Sequence, residues 1–271
     1  MNQQPRVRRV GLATGVSVPY VSAGPAAATP VVLLHAWGES WRSFDRLLPL
    51  LPGTIHAVAM DLRGHGGADK PAAGYSLTEV AADVTAFMDA TGVPSAVLLG
   101  SSSGGYVAQQ VAITSPRRVT GLVLVGSPRS LQGRPSFADE VEQLTDPVDA
   151  SWVRKFLAWF PRFHQVPPWY IDARVHDGAG MPAYVWRETL AGLVSARPPT
   201  DVATITAPTL IVWGARDELL TCEHQQALAA AIPASRLLVY QDTGHLVLWE
   251  QPCRLAADLT AFVDSLSTRP A

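Results

Sequence analysis

Six short runs of apolar residues recur along the chain, each bounded by Gly, Asp or Pro. Continuous apolar runs of this length are typical of strands that are buried on both faces of a sheet. The runs are VVLLHAW (31–37), IHAVAMD (55–61), AVLLG (96–100), GLVLVG (121–126), TLIVWG (209–214) and RLLVYQ (236–241). The pattern therefore predicts six buried strands.

The segments between these runs have helical spacing. In SLTEVAADVTAFMDATG (76–92), the apolar residues fall on one face of a helix, and Gly92 is placed to end that helix. The residues on this face are Leu77, Val80, Ala81, Val84, Phe87 and Met88. The alternation of strand and helix predicts an α/β fold with a mostly parallel central sheet and helices on both faces.

One stretch departs from this alternation. From Pro128 to Pro208 no strand-like run occurs, and aromatic residues accumulate. Because proline breaks a helix, the prolines of this stretch predict several short helices rather than one long one. We therefore expect an inserted helical cap over residues 129–207, between two core segments, 1–128 and 208–271.

Composition and charge disfavour several classes of partner. Of 271 residues, 48% are hydrophobic and 16% are charged, which suits a packed core. A formal net charge of -2 gives no electrostatic basis for binding nucleic acid or a membrane surface. No signal-peptide pattern and no apolar run of membrane-spanning length occurs, so we expect a cytoplasmic protein. Cys222 and Cys253 lack the C-x-x-C spacing of a metal site, and we expect both to be packing residues.

The clearest chemical motif is Gly100-Ser101-Ser102-Ser103-Gly104, which joins an apolar strand to a helix-compatible segment. This is the G-x-S-x-G pattern of a nucleophile elbow. Only Ser102 has glycine two places away on both sides, and small flanks are needed because the turn is strained. The motif predicts Ser102 as a nucleophile. A phosphate-binding loop is disfavoured, because no G-K-[ST] follows.

A serine nucleophile needs a base, and the base needs a group that orients it. The fifth apolar run is followed by Asp217 and the sixth by His245. Both side chains should therefore emerge beside Ser102, at the carboxyl edge of the sheet where ligands bind in open α/β folds. We predict His245 as the base and Asp217 as its orienting acid. Glu218 and Asp242 stay open as alternatives for the acid.

These motifs together resemble the α/β-hydrolase superfamily over nearly the whole chain. The shared segments are, in order, His35-Ala36-Trp37-Gly38, Asp61-Leu62-Arg63-Gly64-His65-Gly66, Gly100 to Gly105, Gly214 to Asp217, and Gly244-His245 with Glu250. The order Ser, Asp, His is also that of the superfamily. The resemblance implies the α/β-hydrolase fold, with a serine hydrolase site under the inserted cap.

The resemblance further implies an oxyanion hole made of two backbone N–H groups. One would belong to Ser103, which follows the nucleophile, and the other to Trp37. This chain has Ala36 where the superfamily commonly has glycine, and alanine adopts a positive φ poorly. A different loop, in which Ala36 supplies the second N–H, therefore stays open.

Other residues of the shared segments carry structural expectations. Asp61 and Arg63 belong to a turn-stabilising motif in this resemblance, and we expect a structural salt link there. His35 and His65 lie in turns and are also expected to be structural. Some members of the superfamily hold their acid after the fourth run, but here that position is Gly126-Ser127-Pro128, without a carboxylate.

The identity of the nucleophile limits the reaction. Epoxide hydrolases and haloalkane dehalogenases share this scaffold but have aspartate at the elbow, whereas Ser102 implies an acyl-enzyme route without metal or organic cofactor. The aromatic cap favours a medium-sized hydrophobic or aromatic ester or lactone. Carbon-carbon bond hydrolysis, perhydrolysis as in cofactor-free haloperoxidases, cyanohydrin cleavage and a hydrolase-fold ligand receptor stay open.

Overall fold

The computed structural model describes residues 6–133 and 135–267. Its strands are β1 (Arg8–Gly11), β2 (Ser17–Ala23), β3 (Thr29–Leu34), β4 (Ile55–Met60), β5 (Ala96–Ser101), β6 (Val119–Val125), β7 (Thr209–Gly214) and β8 (Ser235–Tyr240). Its α-helices are α1 (Leu77–Ala90), α2 (Ser103–Thr114), α3 (Ala138–Glu142), α4 (Ala150–Ala158), α5 (Pro168–Ala179), α6 (Ala183–Ser195), α7 (Pro199–Val202), α8 (Cys222–Ala231), α9 (Val247–Glu250) and α10 (Pro252–Ser267). Short 3-10 helices span Trp41–Phe44, Leu48–Leu50 and Pro116–Arg118.

The strands form one sheet in the order β1-β2-β4-β3-β5-β6-β7-β8. Strands β3 to β8 pair in parallel, whereas β2 pairs antiparallel with both β1 and β4. The predicted α/β fold with a mostly parallel sheet is confirmed. Because β3, β5, β6, β7 and β8 run in one direction, the loops that follow them lie at the same edge of the sheet.

All six apolar runs form strands. The first run leaves the sheet at Leu34, so His35, Ala36 and Trp37 lie in a loop at the carboxyl edge instead of continuing the strand. The antiparallel strands β1 and β2 are absent from the sequence prediction. No residue of β1 is buried, and β2 buries only Val18, Pro19 and Val21, so neither strand has the continuous apolar signal of the other strands.

The sheet is covered on both faces, and alternate residues of each strand point to opposite sides. In β3, Val31 and Leu33 belong to one apolar cluster, and Val32 and Leu34 belong to the other. The second cluster contains the buried faces of α1, α2 and α8. The first contains apolar residues of α10 and of α4, α5 and α6.

The residues at the two ends of helix α1 determine where it begins and ends. Ser76 and Glu79 form a reciprocal capping box at its start, and Gly92, with φ +71°, follows its end. The expected apolar face is buried, except that Val80 is only partly covered.

Helices α3 to α7 occupy the chain between β6 and β7, where the described residues contain no strand. Several of their apolar side chains join the cluster on one face of the sheet, including Val153, Phe156, Tyr170 and Trp186. This segment therefore packs directly on the core. The division into a core and a cap at residues 129 and 207 stays a prediction.

Cys222 and Cys253 are both exposed, so the expectation that they are packing residues is wrong. Each lies at the start of a helix, α8 or α10. Over residues 6–133 and 135–267, no helix combines the length and the apolar character needed to cross a membrane.

Candidate active site

Ser102 lies in the sharp turn between β5 and α2. Its φ of +49° and ψ of -121° lie in a region that residues other than glycine rarely adopt. No other non-glycine residue among those described has a positive φ. The N–H of Ser102 donates to the carbonyl oxygen of Val125 on β6 at 2.8 Å. Neighbouring strands thus hold the strained turn in place.

Three glycines around Ser102 are required because neighbouring atoms leave no room for a Cβ. A Cβ at Gly100 would lie 2.4 Å from the backbone of Gly104, and one at Gly104 would lie 2.3 Å from the carbonyl oxygen of Leu34. A Cβ at Gly105 would lie 1.8 Å from Oγ of Ser127. The turn can therefore be built only with small residues at these positions.

The structure brings the three predicted side chains together. Oγ of Ser102 lies 3.0 Å from Nε2 of His245, and Nδ1 of His245 lies 2.8 Å from Oδ2 of Asp217. Asp217 and His245 are buried, whereas Ser102 is partly exposed. A hydroxyl, an imidazole and a carboxylate thus form one hydrogen-bonded series, and this arrangement can activate a serine.

The two alternative acids are not placed to orient His245. Glu218 is exposed, and Oδ2 of Asp242 lies 3.3 Å from Nε2 of His164. Oδ1 of Asp217 accepts the backbone N–H groups of Leu219 and Leu220, both at 2.9 Å, which leaves Oδ2 facing His245. The turn after β7 therefore selects Asp217.

Two backbone N–H groups lie near the elbow, one in the loop after β3 and one at the start of α2. The N–H of Trp37 donates to Oγ of Ser103 at 2.8 Å. The N–H of Ser103 belongs to the first turn of α2, where no intrahelical acceptor exists. Ala36 does not adopt a positive φ, whereas Gly38 does, at +79°. The loop thus accommodates alanine at position 36, with its left-handed residue at Gly38.

The expected structural salt link of the DLRGHG segment is formed by Arg63, and its partner is Asp83, not Asp61. Arg63 instead makes two hydrogen bonds of 2.7 Å to the buried carboxylate of Asp83 on α1. Asp61 accepts the backbone N–H groups of Trp41 and Gly67, at 2.7 and 2.8 Å. Asp61 and Arg63 therefore contact different parts of the chain, and closeness in sequence does not identify their partners.

His35, in the loop after β3, and His65, in the DLRGHG segment, have ring centroids 5.1 Å apart. Nε2 of His35 accepts the N–H of Leu62 at 2.9 Å, and Nδ1 of His65 lies 2.9 Å from the carbonyl oxygen of Arg63. Burial lowers the pKa of His65 to about 4 and also lowers the pKa of His35. Both positions fit the expected structural roles.

A cavity of about 300 Å³, here called the main cavity, opens above Ser102. Its apolar walls come from the loop after β3, from the chain between β6 and β7, and from the segments after β7 and β8. They include Trp37, Phe137, Phe156, Leu157, Phe160, Leu190, Leu193, Val194, Leu219, Leu220, Leu246 and Trp249. Such a cavity suits an apolar ligand with few polar groups.

One buried carboxyl group also lines the main cavity. Glu39 accepts hydrogen bonds from Nε1 of Trp249, at 3.2 Å, and from the hydroxyl of Ser43. Burial raises its pKa, and the positive charge of Arg174 opposes that rise. The sequence analysis assigned no role to Glu39, because a single acidic residue after a glycine carries no recognisable spacing.

Two further residues support His245. The ring of Phe160 stacks on the imidazole with centroids 5.2 Å apart. The buried carboxylate of Glu250 accepts the N–H groups of Phe163 and His164, at 2.6 and 2.8 Å, and that of Gly244 at 3.3 Å. Sequence analysis noted Glu250 only as part of a resemblance and Phe160 only as one of many aromatic residues.

Two known proteins are similar to this chain in sequence. It is 30% identical over 252 residues to the dihydrolipoyllysine-residue acetyltransferase component of the acetoin cleaving system of Cupriavidus necator, covering 88% of this chain and 64% of that protein. This chain therefore spans less than two thirds of that relative. It is 26% identical over 247 residues to 3-oxoadipate enol-lactonase 2 of Acinetobacter baylyi, covering 89% of this chain and 90% of that protein.

The fold has close structural counterparts. The esterase EaEST from Exiguobacterium antarcticum superposes with a TM-score of 0.83 at 23% identity, covering 96% of this chain and 100% of the esterase. The sequence model of the Alpha/beta hydrolase family matches residues 31–259, which include every segment of the site. The chain belongs to the Alpha/beta hydrolase family.

Proposed function

We propose that this protein is a serine hydrolase that cleaves carboxylic esters or lactones of medium-sized hydrophobic or aromatic compounds. The observation that carries the proposal is the series Ser102–His245–Asp217, with separations of 3.0 and 2.8 Å, at the floor of an apolar cavity. The similarity to an enol-lactonase supports the choice of an acyl substrate.

In the proposed reaction, Nε2 of His245 takes the hydroxyl proton of Ser102 as Oγ attacks the carbonyl carbon. The oxyanion is bound by the N–H groups of Ser103 and Trp37. In the resting structure the Trp37 N–H donates to the Ser103 hydroxyl, and this bond is exchanged for a stronger one to the charged oxygen. Asp217 holds the imidazole in the required tautomer and orientation.

His245 then gives its proton to the leaving alcohol oxygen as the bond between carbon and that oxygen breaks, which leaves an ester on Ser102. A water molecule, deprotonated by His245, attacks this ester and releases the acid and free Ser102. The alcohol thus leaves with the proton that Ser102 lost, and His245 passes the proton taken from water to Oγ of Ser102 as the acid is released.

A fluorophosphonate probe tests the proposal directly, because covalent labelling requires an activated serine. We expect the wild type to be labelled at Ser102 and the Ser102→Ala variant to remain unlabelled. A panel of aryl esters and lactones then measures turnover, with Ser102→Ala as the control. Labelling that persists in Ser102→Ala, or tight ligand binding without any hydrolysis, would contradict the proposal.

A further inference from the structure

Helix α6 contacts the loop after β3 at two consecutive residues. Nε1 of Trp37 donates a hydrogen bond to Oγ1 of Thr189 on α6, with 2.7 Å between nitrogen and oxygen. The ring of Trp186, one turn earlier on α6, makes an edge contact with the ring of Trp37, with centroids 4.7 Å apart. A Cβ at Gly38 would lie 2.5 Å from the ring of Trp186, so this ring also packs closely on the loop backbone.

The groups of α6 that hold the loop are themselves fixed. The hydroxyl of Thr189 donates to the carbonyl oxygen of Val185 at 2.6 Å, which leaves its oxygen free to accept the indole N–H of Trp37. Thr189 and Trp186 are both buried. Nε1 of Trp186 donates to the carbonyl oxygen of Gly178 on α5 at 3.0 Å. The Trp37 ring is therefore bound to side chains that have hydrogen bonds of their own within the inserted helices.

The backbone of Trp37 is bound to the nucleophile elbow. Its N–H donates to Oγ of Ser103 at 2.8 Å, so Trp37 is bonded to α2 through its main chain and to α6 through its side chain. Packing around it is incomplete, because Trp37 is partly exposed and a void of about 30 Å³ borders Trp37, Ser103 and Thr189. The directional hydrogen bond to Thr189 therefore limits where the indole and its backbone can lie.

Donors stabilise an oxyanion best when they are fixed before the charge develops. In the proposed function, the N–H of Trp37 is one of two such donors. Resting on that proposed function, we infer that Thr189 is a positioning residue for the oxyanion hole. Its hydroxyl fixes the Trp37 side chain, and α6 thereby determines where the Trp37 N–H points. Thr189 acts through Trp37 and not by contact with the substrate.

Two replacements of Thr189 separate its hydroxyl from its shape. Valine has a similar shape but no hydroxyl, so Thr189→Val leaves the indole N–H of Trp37 without its acceptor. Serine keeps the hydroxyl, so Thr189→Ser should preserve both hydrogen bonds. The matched control is Thr260→Val, because Thr260 also donates to the carbonyl oxygen four residues earlier, that of Ala256, at 2.7 Å. Thr260 lies on α10, whose described residues do not line the main cavity.

Steady-state kinetics with phenyl acetate measures the effect. We expect Thr189→Val to lower kcat by about tenfold and to change KM less than about twofold, because contacts to the oxyanion strengthen in the transition state. Thr189→Ser and Thr260→Val should each keep kcat within about threefold of the wild type. A lower Tm in Thr189→Val with an unchanged kcat would show that Thr189 only stabilises α6, and the inference would be wrong.

Phenylboronic acid provides a readout that does not depend on turnover. Oγ of Ser102 adds to the boron atom, and the tetrahedral adduct places one boron-bound oxygen in the oxyanion hole. The inhibition constant should therefore rise by about tenfold in Thr189→Val and stay near the wild-type value in Thr189→Ser. Equal inhibition of the wild type and Thr189→Val would contradict the inference.

Trp37→Phe removes the other half of the same hydrogen bond and keeps the backbone N–H. If Thr189 acts through Trp37, Thr189→Val should lower kcat by less than about twofold in the Trp37→Phe background. The same tenfold loss in both backgrounds would show that Thr189 acts by another route. If Thr189→Val is too unstable to purify, Trp37→Phe alone should lower kcat and weaken boronate inhibition together, and wild-type values of both would overturn the inference.

The rate of fluorophosphonate labelling separates this inference from the proposed function. Oγ of Ser102 displaces fluoride from phosphorus while the phosphoryl oxygen occupies the oxyanion hole, so the labelling rate should also fall by about tenfold in Thr189→Val. Absence of labelling in the wild type would overturn the proposed function and, with it, this inference. Labelling of the wild type and Thr189→Val at equal rates would overturn this inference alone.

Discussion

Oε2 of Glu250 accepts a hydrogen bond from the backbone N–H of Phe163, with 2.6 Å between nitrogen and oxygen. The same carboxylate binds the N–H groups of His164 and Gly244. One side chain thus connects the segment that carries Phe160 to the loop that carries His245, although these segments lie far apart in the sequence.

This relationship predicts that Glu250 is a positioning residue. In Glu250→Gln one oxygen becomes an NH2 group that faces a backbone N–H, so two donors meet. We expect kcat for an ester to fall on the order of tenfold, with a smaller change in KM, because His245 and Phe160 shift together. Steady-state kinetics measures this split.

The matched control for Glu250→Gln is Glu79→Gln. Glu79 also accepts a backbone N–H, from Ser76 at 3.1 Å, but it lies in the capping box of α1, away from the site. Its replacement should leave kcat unchanged. If Glu250→Gln lowered only the melting temperature and kept full kcat, Glu250 would be purely structural.

Asp217→Asn should impair catalysis through the wrong imidazole tautomer. An asparagine whose oxygen keeps the N–H groups of Leu219 and Leu220 presents its NH2 to Nδ1 of His245. The proton then moves to Nε2, which can no longer accept from Ser102, and we expect kcat to fall by up to about 10⁴-fold.

Two variants control for the loss of a nearby charge. Glu218→Gln and Asp242→Asn remove carboxylates that do not contact His245, and each should keep kcat within about threefold of the wild type, as expected for exposed charges. Full activity in Asp217→Asn, together with a large loss in either control, would show that the acid was assigned to the wrong residue.

The ion pair of Arg63 with Asp83 should contribute strongly to stability. Both partners are buried, with side-chain exposures of 8% and 0%, so Asp83→Asn leaves a buried guanidinium without its counter-charge. We expect the free energy of unfolding to fall by about 3 kcal/mol in urea denaturation.

The exposed pair of Arg9 with Asp69 provides the comparison. Its partners lie 2.6 Å apart but are 48% and 46% exposed. Asp69→Asn should therefore cost less than about 1 kcal/mol. A similar loss in both variants would indicate that burial does not determine the strength of the Arg63 pair.

His65 should make the protein sensitive to acid. Its pKa is lowered to about 4 in the folded chain, chiefly by burial, whereas an unperturbed histidine titrates near 6.5. Between these values the unfolded chain binds more protons, so the free energy of unfolding falls as the pH falls from 6.5 to 4. The loss from His65 alone amounts to about 3 kcal/mol at the acid end.

Urea denaturation of the wild type and His65→Gln over this pH range checks the prediction. Glutamine does not titrate, so the stability of the variant should depend less steeply on pH. The buried carboxyl of Asp61, whose pKa burial raises to about 6, acts with the opposite sign in the same range and is common to both proteins. Parallel curves for the two proteins would exclude the proposed role of His65.

Much of the fold follows from local patterns. Strands β3 to β8 coincide with the six apolar runs of the sequence, and α1 begins with a capping box formed by Ser76 and Glu79. The elbow is equally local, because the glycines around Ser102 are those that the turn geometry requires. The antiparallel strands β1 and β2 lack such a signal, because neither is a continuous buried apolar run.

By itself, the sequence predicted three candidate residues in chain order: a nucleophile at Ser102, an acid after β7 and a base after β8. Only the tertiary structure decided that Asp217, and not Glu218 or Asp242, faces His245, that Arg63 pairs with Asp83, and that Phe160 stacks on the imidazole. Strand and turn signals depend on neighbours within a few residues. These partner choices depend on side chains that meet only after the sheet has brought distant segments together.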